Sequence, residues 1–404
     1  MPAPSSSVPT FDVAVIGAGP SGLTAALAFA AEGLDTALVA PAANLDDGRT
    51  TALLHASVGL LDRVGVWEDV HDKAAPLARM RMIDDTGRLF RAPEVTFNCA
   101  ELGLDAFGYN IANADLNAAL ERAAAVAPNL TIFQDTGDRY AFGETDVTIT
   151  AAGGHVLSSR LVVAADGRKS SLREAAGIDV RTWSYPQVAV VLNLEHDRPH
   201  HDISTEFHKK TGPFTLVPLP GSRSSLVCVE TAEGALQLGE MSDDALALEL
   251  EHRAHSILGR FKIATRRQMF PLSGMNAKSL IGHRVALIGE AAHVFPPIGA
   301  QGLNLSLRDV AGLVAIAGRA KAMDQDPGSA DILSRYERQR WTDIATRTGA
   351  VDLLNRSLLS DFIPLQLARC TGLYLADRIG PLRRLLMREG MAPGTAGSLP
   401  AISR

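Results

Sequence analysis

The stretch DVAVIGAGPSGLTAALAFAAEG, residues 12–33, decides the fold. Val13 to Ile16 form an apolar run rich in β-branched residues, as a strand buried on both faces requires. Gly17, Gly19 and Gly22 follow as G-x-G-x-x-G, and Leu23 to Ala31 read as a helix. Each glycine has its own reason. Gly17 permits a tight turn, Gly19 lets the backbone approach a pyrophosphate, and Gly22 lets the helix pack closely on the strand. Strand, turn and helix together predict a dinucleotide site. Gly17, Gly19, Pro20, Ser21 and Gly22 surround the phosphates at the positive end of the helix dipole. A second strand, Thr36 to Ala40, runs into Pro41. The acid that usually ends this strand, about 20 residues beyond the motif, is absent.

Two distant segments call for the same ligand. In LVVAADGRKSSLREAAGI, residues 161–178, a strand ends at Asp166-Gly167 and a helix begins near Ser170 and Arg173. A carboxylate at that strand end reaches a ligand; the other reading is a β-turn followed by a helix cap from Ser170. In VALIGEAAHVFPPIGAQGLN, residues 285–304, a strand ends on Gly289 and Glu290, and an acid there suits a ribose hydroxyl. Pro297, Gly299, Gln301 and Gly302 then form a Gly-rich turn, and a helix starts near Leu303 and Asn304. Its N-terminal backbone N–H groups face an anionic or electron-rich ring.

Strand and helix patterns alternate up to about residue 75. ARMRMIDDTGRLFRAP reads as a hairpin turning at Asp85-Thr86-Gly87, and Asp115 to Ala125 as a helix. Residues 187–195, 203–208, 214–218 and 225–231 read as strands of another sheet, and 243–258 as a helix. The fold class expected is α/β: a Rossmann-like dinucleotide-binding domain (10–75, 98–180 and 273–345) with an inserted, mainly β substrate domain (76–97 and 181–272). A disordered tail (1–9) precedes it, and a helical C-terminal region (346–404) follows.

Composition narrows the function. The 404 residues suffice for two domains and a large core. A net charge of −6 argues against general nucleic-acid binding. Cys99, Cys228 and Cys370 are scattered without a C-x-x-C, which suits a reducing cytoplasm. MPAPSSSVPT has neither a basic n-region nor an apolar h-region, so no signal peptide is expected. His196, His200 and His201 lie in a polar loop, and no metal site is expected from them.

Together, the three glycine- and acid-bearing segments resemble the aromatic-hydroxylase class of flavoprotein monooxygenases, the p-hydroxybenzoate hydroxylase fold class. Further stretches resemble its ubiquinone-biosynthesis branch: GRTTALLHASVGLLDRVGVWEDV (48–70), IANADLNAAL (111–120), GPFTLVPLP (212–220) and HVFPPIGAQGLNLSLRDVAGL (293–313). The resemblance covers about residues 10–390. Glu290 replaces the usual Asp, Ala300 a Gly of the G-Q-G loop, and Ala40 stands where the ribose acid would be.

The resemblance implies FAD as cofactor, NADPH or NADH as reductant, and molecular oxygen delivered through a flavin C4a-hydroperoxide. It implies an aromatic substrate, first a polyprenylated phenol of ubiquinone biosynthesis. The alternatives are a small soluble phenol, a prenyl-chain reductase of the same fold, and a flavin-binding accessory subunit of a quinone-synthesis assembly. It adds Arg49, in Arg49-Thr-Thr-Ala-Leu53, and Asn113 to the cofactor contacts, as well as Leu303 and Asn304, and places the loop Pro296 to Gly302 beside the flavin ring. Such chemistry needs a dry pocket. Phe207, Phe214, Leu216 and Pro218 are candidates for its lining, with plain core packing as the other reading. No residue stands out as the catalytic base.

Residues 365–404 carry six arginines against Asp377 and Glu389, interleaved with leucines. Residues 365–390 read either as an amphipathic surface for an anionic membrane, at the inner face of a cytoplasmic membrane, or as a helix packed on the parent domain or a partner. A homo-oligomer or a quinone-synthesis complex is compatible with the latter.

Overall fold

The computed structural model describes residues 8–41, 48–88, 91–296, 301–359, 374 and 378–391. Pro297 and Gly299 lie outside these residues, as does most of 360–377.

The first sheet runs in the order Ile281–Gly282, Val285–Leu287, Val156–Ala164, Thr10–Ile16, Thr36–Val39, Leu130–Phe133. Thr10–Ile16 is parallel to both neighbours, and Val156–Ala164 is parallel to Val285–Leu287. Val13, Ala14 and Val15 are fully buried. That explains their unbroken apolar run, because helices cover a parallel sheet on its faces. The helix Pro20–Ala31 is buried from Gly22 to Ala30 and packs against the helix Gln301–Ala322. A helix apolar all round can only be a core helix, and its alanines admit close neighbours. Gly137–Phe142 is a strand that the sequence pattern did not suggest; it pairs with Val147–Ala151, which extends the sheet.

The second sheet has nine strands, in the order His293–Val294, Gln268–Ala277, Val180–His196, Arg223–Thr231, Pro213–Leu219, Ile203–His208, Arg79–Asp84, Val95–Asn98, with Phe261–Ile263 also on Val180–His196. The connection from Asp85 to Glu94 is longer than the tight hairpin expected. Met82 pairs with Val95, so pairing stops short of the turn. Asp84 instead holds the loop, accepting hydrogen bonds from the Thr86 hydroxyl (2.7 Å) and the Ala92 N–H (3.0 Å).

The outer face of this sheet packs on two helices, Ala232–Glu240 and Asp243–Arg253. Val190, Leu192, Leu226 and Cys228 meet Leu238, Leu246 and Leu250 there. Thr231 and Ser242 cap the two helices by accepting from Gly234 N–H and Ala245 N–H. The inner face looks toward a small three-stranded sheet of Thr50–Leu54, Gly108–Ala112 and Ala75–Pro76. Asn110 Nδ2 donates to Ser225 Oγ (3.2 Å) across the gap, and the Arg49 guanidinium lies 5.5 Å from the Phe270 ring centre. The helix Ala330–Leu359 also reaches this face, where Tyr185 donates to Asp352 (2.8 Å).

This register corrects one expectation. Phe207, Phe214 and Leu216 do not line a pocket but fill the outer core, at 1%, 1% and 2% exposure. Strand alternation puts Pro218 on the same face. Its carbonyl accepts from Asn110 Nδ2 at 2.9 Å.

Candidate active site

The three segments meet because their strands are parallel neighbours. Ile16 lies beside Ala164, and Ala164 beside Leu287. Their following turns, at Gly17, Asp166 and Gly289, therefore emerge together at the carboxyl edge of the sheet, where open α/β sheets bind ligands.

The glycines of the first turn serve different ends. Gly17 has φ +111°, and a Cβ on it would sit 2.4 Å from the Ala165 carbonyl oxygen. A Cβ on Gly22 would sit 2.0 Å from the Gly17 carbonyl oxygen. Both are glycine so that the protein can close on itself. A Cβ on Gly19 would meet nothing within 4 Å. Gly19 is the N-cap of the helix Pro20–Ala31, with no side-chain cap. Its N-terminal backbone donors thus face open space, as anion binding needs.

The second and third turns are tied to each other. Ser170 caps the short helix Ser171–Ala175, accepting from Arg173 N–H at 3.0 Å. The capping reading of Ser170 is therefore part of the structure. Asp166 keeps one oxygen for something else: Oδ1 is buried and accepts from no described residue. A buried carboxylate oxygen without a donor is costly, and a hydroxyl-bearing ligand would relieve it. Glu290 is half exposed and pairs with Arg168 at 3.2 Å, which leaves acceptor capacity on its carboxylate. Arg173, nearly fully buried, donates to the carbonyls of Ala291 and Arg168, each at 3.0 Å. It bridges the second turn and the third.

Asp309 supports the third turn from the helix Gln301–Ala322. It is fully buried and accepts from Gly289 N–H (3.1 Å), His293 Nε2 (2.6 Å) and Arg340 Nε (2.8 Å). Burial alone would raise its carboxyl pKa; the charges of His293 and Arg340 and their hydrogen bonds outweigh this and hold it below the usual carboxylate range. Asp309 and Arg340 were not singled out from the sequence. A signal was there: Asp309 falls at helical spacing between Leu305 and Leu313, on the apolar stripe, where a charge must be paired.

The remaining candidates divide. Arg49 and Asn113 come together, Asn113 N–H donating to the Arg49 carbonyl (3.0 Å). Gln301 and Gly302 open the helix Gln301–Ala322, and Gln301 accepts from Arg347 Nη1 (2.7 Å). Leu303 packs on the core. Asn304 acts as a clamp: its Oδ1 accepts from Leu54 N–H (2.8 Å) and Ser57 Oγ (2.7 Å), and its Nδ2 donates to Ala52 O (2.7 Å). Its amide positions the strand that follows Arg49. His196 and His200 are engaged with Arg198 O, Ser224 Oγ and Leu219 O.

Comparison with known proteins matches residues 10–348 to the family described as FAD binding domain. Ubiquinone hydroxylase UbiL of Rhodospirillum rubrum is 34% identical over 396 residues, covering 96% of this chain and 91% of that protein. The 3-demethoxyubiquinol 3-hydroxylase of Escherichia coli is 30% identical, covering 94% and 98%. Among solved structures, p-nitrophenol 4-monooxygenase PnpA from Pseudomonas putida superposes with a TM-score of 0.76 at 19% identity, covering 94% and 98%. HpxO of Klebsiella pneumoniae, complexed with FAD, gives 0.74 at 20% identity, covering 96% and 100%. FAD is thus the cofactor, and the chain belongs to the FAD-binding flavoprotein monooxygenases, in the branch that holds the ubiquinone hydroxylases.

Proposed function

We propose that this protein hydroxylates the ring of a polyprenylated phenol on the route to ubiquinone, with NAD(P)H and oxygen as co-substrates. The observation that carries the reading is near full-length likeness to a ubiquinone hydroxylase, 34% identical over 96% of this chain. Bound FAD supplies electron transfer from NAD(P)H and the activation of oxygen. The protein's own contribution is placement. Gly17, Gly19, Pro20, Ser21 and Gly22 would hold the pyrophosphate; Asp166, Gly289 and Glu290 would accept the sugar-chain hydroxyls; and Arg49, Asn113 and Gln301 to Asn304 would frame the ring. The substrate would lie on the inner face of the nine-stranded sheet, whose Val191, Thr215, Val217 and Val227 are only half buried.

The test is direct. Purified holoprotein is given NADPH or NADH, oxygen and a short-chain 2-polyprenylphenol. Faster NAD(P)H oxidation, with one oxygen atom from O₂ in the ring, is the expected result. Oxidation that the phenol does not accelerate, or product without added oxygen, overturns the reading.

The same reading includes reversible contact with an anionic membrane, since a polyprenyl tail is insoluble. No helix among the described residues is long and apolar enough to cross a membrane. Support comes from the helix Gly380–Met391, on which Leu385 and Leu386 are 56% and 46% exposed beside Arg384 and Arg388.

A further inference from the structure

The inner face of the nine-stranded sheet carries a carboxylate, Glu206, in a mainly apolar setting. Register pairs Met82 with Glu206, Glu206 with Thr215, Thr215 with Val227, and Val227 with Val191. Paired residues share a face, so these five form one row across the sheet. Val191 and Val227 belong to the inner apolar cluster, whereas Phe207, next to Glu206, is in the outer core. Glu206 therefore points inward, in a mainly apolar row, at an interior sheet position. Its side chain is 18% exposed, and that opening must be on the inner side because Phe207 and Phe214 seal the outer one.

The carboxylate is only half engaged. Oε1 accepts from His208 Nε2 at 2.8 Å, and His208 is 3% exposed. Among the described residues, Oε2 has one long contact, with the Thr215 hydroxyl at 3.4 Å. Burial alone would raise the Glu206 carboxyl; the hydrogen bond and charge of His208, with Thr215, bring it below the usual carboxylate range instead. Among the described residues, one oxygen is thus firmly held and the other only loosely, at a partly open position. A buried acceptor in an apolar wall recognises a ligand that brings a hydroxyl on an otherwise apolar body.

The geometry points to Glu206, oriented by His208, as the residue that receives the hydroxyl of the aromatic substrate. This deepens the proposed function and rests on it. A phenol donating to a carboxylate is fixed in orientation, and its ring gains electron density for attack by an electrophilic oxygen. His208 is a positioning residue: it fixes the carboxylate without meeting the ring.

The experiment compares binding of 2-prenylphenol and its methyl ether to the FAD-loaded protein, followed by perturbation of the flavin spectrum. The ether keeps the apolar body and loses the donor. Wild-type protein should prefer the phenol by about ten-fold or more, the usual worth of a hydrogen bond to a charged group. Glu206→Met should lose that preference, Glu206→Gln should reduce it, and His208→Gln, which keeps the carboxylate, should retain most of it. All should hold FAD as wild type does. A Glu206→Gln protein that discriminates like wild type overturns the inference and leaves the proposed function standing. So does equal loss of preference in the Glu206→Met and His208→Gln proteins, which would mark the pair as merely structural. A wild-type protein that binds neither compound overturns both readings.

Discussion

In the proposed function, the carboxyl edge of the first sheet and the inner face of the second do different kinds of recognition. At the first, backbone meets ligand: open space over Gly19, N–H groups at a helix N-terminus, and strand ends in register. At the second, side chains meet ligand, and identity depends on which face each occupies. Backbone recognition demands glycines at fixed spacing, so it leaves a mark in sequence. Side-chain recognition on a sheet leaves a mark only once the register is known, because a shift of one residue exchanges the two faces.

The sharpest way to break this contrast lies within the first turn. Gly19→Val should leave the fold intact, since a Cβ there meets no protein atom within 4 Å. FAD binding should be lost, because the branched side chain would enter the pyrophosphate's path. Gly22→Val should do the opposite damage: its Cβ would lie 2.0 Å from a backbone oxygen, and the destabilisation should be about 4 kcal/mol or more. Thermal melts of the apo proteins, with FAD titration, separate the two. If Gly19→Val melts early yet still binds FAD, ligand-facing and self-facing glycines have been confused.

That contrast also explains what the sequence disclosed. The α/β class, the strand at Val13 to Ile16 and the convergence of three distant turns were legible, because periodicity and glycine spacing encode them. Phe207, Phe214 and Leu216 were misread as lining for the reason just given: apolar content marks burial and does not tell inner face from outer. Glu206 and His208 were invisible for the same reason, lying in ISTEFH with no motif around them. Asn304 was legible as a site-adjacent residue, but its clamp on Ala52, Leu54 and Ser57 joins positions some 250 apart, which no local pattern records.

The second sheet offers its own pair of substitutions. Phe214→Ala empties a fully buried outer position and should cost about 3–5 kcal/mol by leaving a cavity. Substrate KM, measured on the folded fraction, should hardly move. Val227→Ala removes a half-buried inner residue, should cost about 1 kcal/mol, and should raise KM for a prenylated phenol. Denaturant midpoints and steady-state kinetics on both proteins check this; a KM effect from Phe214→Ala larger than that from Val227→Ala would reverse the assignment of faces.

Asp309 tests the first sheet through pH. Asp309→Asn takes from Arg340 one of its two carboxylates, leaving Asp343 at 2.6 Å, and sets an amide against the buried His293; it should cost about 3 kcal/mol. In wild-type protein the folded-state pKa of Asp309 is depressed. Its stabilisation is therefore present above the unfolded carboxylate pKa, and is lost as pH falls below that value and through the folded one. Gly289 N–H shares that carboxylate, so acid should release FAD as it destabilises the fold. The fraction of FAD retained after gel filtration and the circular dichroism, followed from pH 6 downward, should fall more steeply for wild type than for Asp309→Asn.

The smallest effect concerns the proposed membrane contact. Arg383 is not available to lipid: it pairs with Glu101 at 2.8 Å, lies 4.7 Å from the Phe97 ring centre and donates to the Thr96 carbonyl. Met387 is buried beside Cys99 and Phe107. One side of the helix Gly380–Met391 is thus docked on the edge strand Val95–Asn98, and Arg384, Leu385, Leu386 and Arg388 remain outward. Membrane contact through that side would bring the edge of the second sheet, rather than the FAD edge of the first, to the lipid. Each basic residue near an anionic leaflet contributes about 1 kcal/mol, so Arg384→Glu with Arg388→Glu should weaken vesicle binding by on the order of ten-fold to a hundred-fold. Melting temperature and turnover of a short-tailed phenol should stay at wild-type values. Arg383→Glu should instead lower the melting temperature, because it breaks the dock. If the outward pair changes stability and not vesicle binding, the helix is ordinary packing on both sides, and the substrate tail must enter the second sheet by another edge.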